Sequence, residues 1–243
     1  GRAGIECLEI LLLNFSINKS NILIFTHDSN ANKDFIKYLV DNKFSFFYDN
    51  VNNFVSEIKR FEPNYLLSVY YRNIVDIEII KLVDGKAMNL HPSLLPAYRG
   101  SKSSVWAILN NESETGISFH FMNSSIDDGK IILQKRISIK EIDTAYSLYH
   151  KLIRLFVQNF IEAFTLLIDG YNGTEQLGMV SYYSRNSPYE GKLKIKEVSF
   201  EEASQFVKAL YFPPYKGAIF VLDKNLEVEV KSIDDLKKIK EKL

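Results

Sequence analysis

The chain has 243 residues, and its 30 Lys and Arg balance 30 Asp and Glu, so its formal charge at neutral pH is zero. Such a chain lacks the basic footprint that phosphate backbones demand, which argues against a nucleic-acid partner. The single cysteine, Cys7, cannot close an internal disulfide, and no apolar run approaches a bilayer span, so a disulfide scaffold and a membrane span are both excluded.

Residues 1–20 lack an initiator Met, and their apolar run at 10–13 is too short for a signal-peptide core. They read as an N-terminal extension, and a cytoplasmic location is the expectation. Residues 21–25, NILIF, read as a buried strand. Ser29 or Asn30 caps a helix to about residue 42, with Phe35, Ile36, Leu39 and Val40 on one face. A strand at 44–48 and a helix at 51–61, stopped by Pro63, come next. Residues 65–70, 74–82 and 87–90 repeat the order strand, helix, strand. Such alternation predicts βαβ units on a mostly parallel, twisted, Rossmann-like sheet, an α/β fold.

Beyond residue 100 the pattern predicts a helix at 101–109, a strand at 116–122 and a turn at 127–129 leading into 130–139. A long amphipathic helix starts at Asp143 or Thr144 and stops at Gly170. Its stripe of Tyr146, Tyr149, Ile153, Phe156, Val157, Phe160, Ile161 and Phe164 reads as core covering the sheet. The texture changes near residue 175. A helix at 200–210, two strands around a hairpin at Asp223, Lys224 and Asn225, and a solvated terminal helix follow. The expected division is 1–20 extension, 21–175 catalytic domain and 176–243 a small β-containing α+β appendage.

The chemistry concentrates in MNLHPSLLPAYRG, residues 88–100. Asn89 and His91 have one residue between them, which puts both side chains on one face of an extended segment. Pro92 then ends the strand, and carboxyl ends of strands are where open α/β sheets bind ligands. An amide beside an imidazole can polarise a carbonyl and move a proton, the needs of acyl transfer. The competing reading is a proline-rich connector with a solvated histidine.

Asn89-Leu90-His91-Pro92-Ser93-Leu94-Leu95-Pro96, followed by Tyr98-Arg99-Gly100, resembles the signature loop of the folate-dependent formyltransferases. That family has a third catalytic residue, an aspartate in an Asp-x-Gly turn about three dozen residues downstream, and Asp127-Asp128-Gly129 fits. The resemblance implies a catalytic Asn89, His91 and Asp127, and 10-formyltetrahydrofolate as co-substrate. Asn89, aided by His91, would stabilise the oxyanion; His91 would accept the amine proton; Asp127 would hold the imidazole. Taken alone, Asp127 is also an ordinary turn residue. His120 reads as structural or as lining the folate side, and His150 as structural. No Cys/His cluster has metal-ligand spacing, so no metal is expected.

By the same resemblance, folate lies between the loop of Tyr71, Arg72, Asn73 and Ile74 and the segment containing Met122 and Asn123. The tail resembles the nucleotide-sugar N-formyltransferase branch through Tyr182-Tyr183-Ser184-Arg185 and the run 209–218, ALYFPPYKGA. There Phe212 or Tyr215 would stack on the base, Arg185 and Lys216 would meet the diphosphate, and His27 and Tyr182 would add substrate contacts. A rigid turn into a strand is the alternative for FPPY. The turn after the first strand has no glycine, unlike the glycinamide ribonucleotide branch, and the short neutral chain disfavours the methionyl-tRNA branch. The acceptor implied is a dTDP-linked amino-dideoxy hexose of surface polysaccharide (O-antigen, lipopolysaccharide) synthesis, and a homodimer is compatible with it. Methionyl-tRNA formyltransferase, formyltetrahydrofolate hydrolase and a catalytically dead nucleotide-sugar-binding protein are the alternatives.

Overall fold

Strand β1 (Ile24–Phe25) runs parallel to β2 (Phe46–Phe47), and β3 (Leu66–Val69) parallel to β4 (Ala87–His91), as the alternating pattern predicts. The computed structural model describes residues 1–29, 32–223 and 226–242. Asn30, one of the two expected helix caps, and Lys224 and Asn225 of the expected hairpin lie outside them. The chain forms two compact units. The first comprises Gly1–His91, Ser118–Gln134 and Ile153–Leu177, and the second Pro92–Ile117, Lys135–Leu152 and Gly178–Leu243. Strands β6 (Glu114–Phe121) and β7 (Ile131–Ser138) and helix α6 (Ala145–Ile168) each contribute to both.

In the first unit, β3, β4, β6 and β7 lie side by side in that order. The pairing of β4 with β6 is antiparallel, with Asn89 opposite His120 and His91 opposite Ser118. Helix α2 (Lys33–Asp41) starts after Asn32, three residues beyond the expected cap Ser29, and buries Phe35 and Leu39. Helices α3 (Val55–Phe61) and α4 (Ile77–Lys81) join a core of Val51, Ile58, Ile79, Ile80 and Val83. In α6, Phe156, Phe160 and Phe164 are buried, each worth about 1.5–3 kcal/mol of apolar burial. Phe156 meets Phe119 of β6 edge to face at 5.4 Å, so this part of the expected stripe covers the sheet. Ile161, included in that stripe, is exposed because it lies about 100° round the helix from Phe160. Residues 1–20, expected only as an extension, hold helix α1 (Arg2–Asn14), which buries Ala3, Cys7, Leu8 and Leu11.

In the second unit, the start of α6 is tied down by Thr144 and Ser147, whose side chains each accept from the other's backbone N–H at 3.2 and 3.0 Å. Asp143, just before it, bonds both Ser147 and Lys151. Strand β5 (Arg99–Gly100) runs parallel to β8 (Tyr182–Tyr183), and helix α5 (Ser103–Leu109) follows β5. A three-stranded sheet orders β9 (Lys192–Lys194), β10 (Ala218–Asp223) and β11 (Leu226–Val230) as β11-β10-β9. Helix α7 (Phe200–Leu210) opens with a complete capping box, Ser199 with Glu202. It packs Ala203, Phe206 and Val207 against Phe220, Val230 and Leu236, the last from α8 (Ile233–Lys240). Among the described residues no helix is long and apolar enough to cross a membrane.

Candidate active site

Strand β4 places Asn89 and His91 on one face, as their spacing requires. The antiparallel register then sets His120 of β6 directly opposite Asn89. Just beyond β6 the backbone turns back: Phe121 N–H donates to the Lys130 carbonyl at 2.9 Å, closing a loop over 122–129. Asp127 sits in that loop with φ 51°, in the left-handed region. Gly129 is required there, because a Cβ would stand 1.8 Å from the Phe121 carbonyl oxygen.

These elements bring four polar side chains together. His91 Nδ1 lies 3.2 Å from Asp127 Oδ2. Asn89 Nδ2 donates to Asp127 Oδ1 at 3.2 Å and lies 3.0 Å from His120 Nε2. His120 Nδ1 faces the Phe121 carbonyl at 2.8 Å and so carries the hydrogen, which makes Nε2 the acceptor for Asn89. His120 Nε2 is also 3.4 Å from Asp127 Oδ1. The cluster is well shielded: His91 is 3% and His120 2% exposed. His91 is therefore not solvated, and Ser93 and Leu95 beyond it are buried as well, so the loop is not the solvent-facing connector of the alternative reading.

The arrangement has chemical consequences. Asp127 orients His91 through Nδ1–H, leaving Nε2 as the ring nitrogen suited to meet a substrate proton. Both amide hydrogens of Asn89 are directed at His120 and Asp127, so donation to a developing oxyanion requires one of them to be shared. His120 is the residue that sequence reasoning left as structural or folate-lining. Only the strand register, which the residue pattern does not carry, puts it beside Asn89.

The remaining site candidates fall into separate groups. In the first unit, the His27 and Tyr71 rings stack at 4.8 Å, and His27 Nε2 accepts from the Arg72 N–H at 3.3 Å. Tyr71 Oη accepts from the Val51 N–H at 2.9 Å. The loop after Arg72 and Asn73 is gripped by Asn52, which donates to the Ile74 carbonyl at 3.0 Å and accepts from the Asp76 N–H at 3.0 Å. Met122 N–H donates to the Ala87 carbonyl at 2.8 Å, and Asn123 accepts from the Ser125 N–H at 2.9 Å.

In the second unit, Phe212 and Tyr215 come together, with ring centroids 6.1 Å apart. Tyr146 and Tyr149 of α6 meet Phe212 edge-on at 5.6 and 5.2 Å, and His150 lies 4.4 Å from Tyr146. Burial, with the phenol of Tyr215 second, pushes the Tyr149 hydroxyl pKa up. Tyr146 and Tyr149 thus belong to this aromatic group, not to the sheet-covering stripe. Arg185 and Lys216 are exposed, and Tyr182 is held in β8 alongside Arg99.

An α/β chain that holds an amide and an imidazole against one carboxylate at a strand's carboxyl end carries the groups that acyl transfer needs. The family model described as formyl transferase matches residues 25–164, and the chain belongs to that family. It is 42% identical over 165 residues to the GDP-perosamine N-formyltransferase of Brucella melitensis, an alignment covering 67% of this chain and 62% of that relative. The chain thus spans about three fifths of the length of this curated relative. Among solved structures, the sugar 3N-formyl transferase WlaRD, crystallised with dTDP and 5-N-formyl-THF, is 27% identical with a TM-score of 0.75. That match covers 89% of this chain and 78% of WlaRD. The N-formyltransferase of Helicobacter canadensis, in complex with folinic acid and dTDP-3-aminofucose, is 25% identical with a TM-score of 0.74. It covers 91% of this chain and 81% of that one.

Proposed function

We propose that this protein transfers the formyl group of 10-formyltetrahydrofolate to the amine of a nucleotide-linked amino-dideoxy hexose. The observation that carries the reading is the preassembled contact of Asn89, His91 and Asp127, all within 3.2 Å of a neighbour in the set. The amine nitrogen attacks the formyl carbon, forming a tetrahedral intermediate, and the bond from that carbon to the folate nitrogen breaks. His91 takes the proton that the amine sheds, Asp127 stabilises the imidazolium, and the proton returns to the leaving folate nitrogen. The products are the formamido sugar and tetrahydrofolate. Asn89 shares an amide hydrogen with the oxyanion.

The folate is assigned to Tyr71, Arg72, Asn73, Ile74, Met122 and Asn123, where loop backbone can satisfy a pterin's many donors and acceptors. The sugar nucleotide is assigned to Tyr182, Arg185, Phe212, Tyr215 and Lys216, all in the second unit, while His27, a substrate-contact candidate by sequence, stacks on Tyr71 in the first. The 42% identical relative, a GDP-perosamine enzyme by name, supports a GDP-linked sugar; the structures at 25–27% identity, with dTDP ligands, support dTDP. We favour GDP on the higher identity, with a role in surface polysaccharide synthesis and a cytoplasmic location by analogy.

The test is formyl transfer from 10-formyltetrahydrofolate to a panel of GDP- and dTDP-linked amino sugars, with initiator tRNA and water as competing acceptors. Turnover of a GDP-linked sugar well above every dTDP-linked one supports the reading. Saturable formylation of tRNA, or release of formate without an amine acceptor, overturns it.

A further inference from the structure

The segment following α6 carries a side chain that touches the catalytic turn from outside the signature motifs. Thr174 and Ile131 exchange a closed pair of backbone hydrogen bonds, 2.9 and 2.7 Å, zipping the segment to the start of β7. Gly173 permits the approach, since a Cβ there would stand 2.9 Å from Lys130 Cβ and 3.0 Å from the Ile131 carbonyl oxygen. Thr174, Glu175 and Leu177 are exposed, but Gln176 between them turns inward. Its Nε2 donates to the Asp127 carbonyl at 2.8 Å and to the Gly129 carbonyl at 2.8 Å. One amide thus spends both hydrogens on the two ends of the Asp-x-Gly turn, 49 and 47 residues away in sequence.

We propose that Gln176 is a positioning residue for Asp127, and through it for His91; this rests on the formyl-transfer reading above. Asp127 holds a left-handed backbone conformation, one that Asp tolerates better than most residues, in an exposed loop whose two ends Gln176 ties down. The carboxylate is fixed from within by His91 Nδ1 and Asn89 Nδ2, and the backbone beneath it by Gln176. Removing the clamp lets the turn relax and lengthens the Asp127–His91 contact, which weakens turnover but not substrate binding.

Gln176→Met keeps length and bulk and removes both donors; Gln176→Glu keeps the shape and presents oxygens to two carbonyls. Either variant is expected to lower kcat about tenfold or more with both KM values within about twofold, the Glu variant losing more. In an Asp127→Ala background the Gln176→Met change should cost less than about twofold, because its effect passes through the missing carboxylate. A readout independent of turnover is the 15N spectrum of the His91 imidazole, expected as the Nδ1–H tautomer in the wild type and shifted towards a mixture in Gln176→Met. An equal kcat loss with and without Asp127, or an unchanged His91 tautomer, overturns the proposal. If the wild type formylates no amine, the functional reading fails; the imidazole spectrum alone then decides the role of Gln176.

Discussion

Around Asp127 the side chains are polar, buried and fixed by named partners, whereas around Tyr215 they are aromatic, partly exposed and held by ring contacts. Tyr215 is 62% exposed, against 3% for His91. The difference follows from the work each group is proposed to do. Stabilising charge that develops during a reaction needs dipoles fixed in advance and shielded from water, where they act at low dielectric. Holding a flat base needs area and a polarisable face, and tolerates exposure until the ligand covers it. Substitutions in the first group should therefore strike turnover, and in the second, affinity.

The largest effect is expected at the contact proposed to be catalytic. His91→Ala or Asp127→Ala should lower kcat by at least about a hundredfold, the usual scale of a general acid–base contribution. Because His91 is buried against Asp127, His91→Ala should also lower the melting temperature, as the shielded carboxylate loses one of its partners and a cavity opens beside it. Formylation kinetics beside a thermal melt separate the two losses. Near-normal turnover in His91→Ala would mean that the proton goes elsewhere.

How much of this was legible in the sequence depends on whether the signal is local. Asn89 and His91 are two residues apart on one strand, and Asp127 and Gly129 share one turn, so pattern and resemblance located them. His120 and Gln176 reach the same site through tertiary pairing, 31 residues from Asn89 and 49 from Asp127 respectively. The strand–helix alternation that predicted parallel pairings was right for β1 with β2 and β3 with β4. It holds no information on the direction of β6, which follows a helix and yet runs antiparallel to β4. Helix α1 shows no long apolar run, since its longest contiguous apolar stretch spans only 10–13. The signal was Ala3, Cys7, Leu8 and Leu11 at spacings of three and four.

The second unit also contains a buried charge, and it sharpens the comparison because its work is structural. Asp143 is 3% exposed and accepts from Lys151 at 2.6 and 2.7 Å, Ser147 at 2.8 Å and the Lys140 N–H at 2.8 Å. Burial alone would raise its pKa, but Lys151, the Lys140 N–H and Ser147 together outweigh it and hold the carboxyl below its usual range. A group depressed in the folded state stabilises above its unfolded pKa, about 4, and loses that contribution as pH falls through the folded value. Asp143→Asn should cost about 2 kcal/mol at pH 7 by denaturant unfolding. The gap to wild type should close below about pH 4, with kcat unaffected at neutral pH. A gap that persists unchanged to pH 3 would show that the charge is not what Asp143 contributes.

The smallest effect is expected at the aromatic group, and it tests whether exposure there means ligand binding. Tyr215 follows two prolines, and its N–H donates to the Phe212 carbonyl at 3.0 Å, so the backbone beneath the ring is stiff. Phe212 is contacted by Tyr146 and Tyr149, and Tyr215, 62% exposed against 38% for Tyr146, is the more exposed of the two exposed rings of the group. Tyr215→Ala should raise the nucleotide-sugar KM by roughly tenfold, since base stacking on an aromatic ring is worth about 1–3 kcal/mol. Formyl-folate affinity should be unchanged, because the residues assigned to it belong to the first unit, and the melting temperature should move little for so exposed a ring. Calorimetric titration of the variant with GDP, with dTDP and with a folate analogue reads the three affinities separately. Equal loss of nucleotide and folate would mean that the tail has unfolded. Undiminished binding of both nucleotides would mean that the base stacks elsewhere, with the stacked pair of His27 and Tyr71 the next ring surface to substitute.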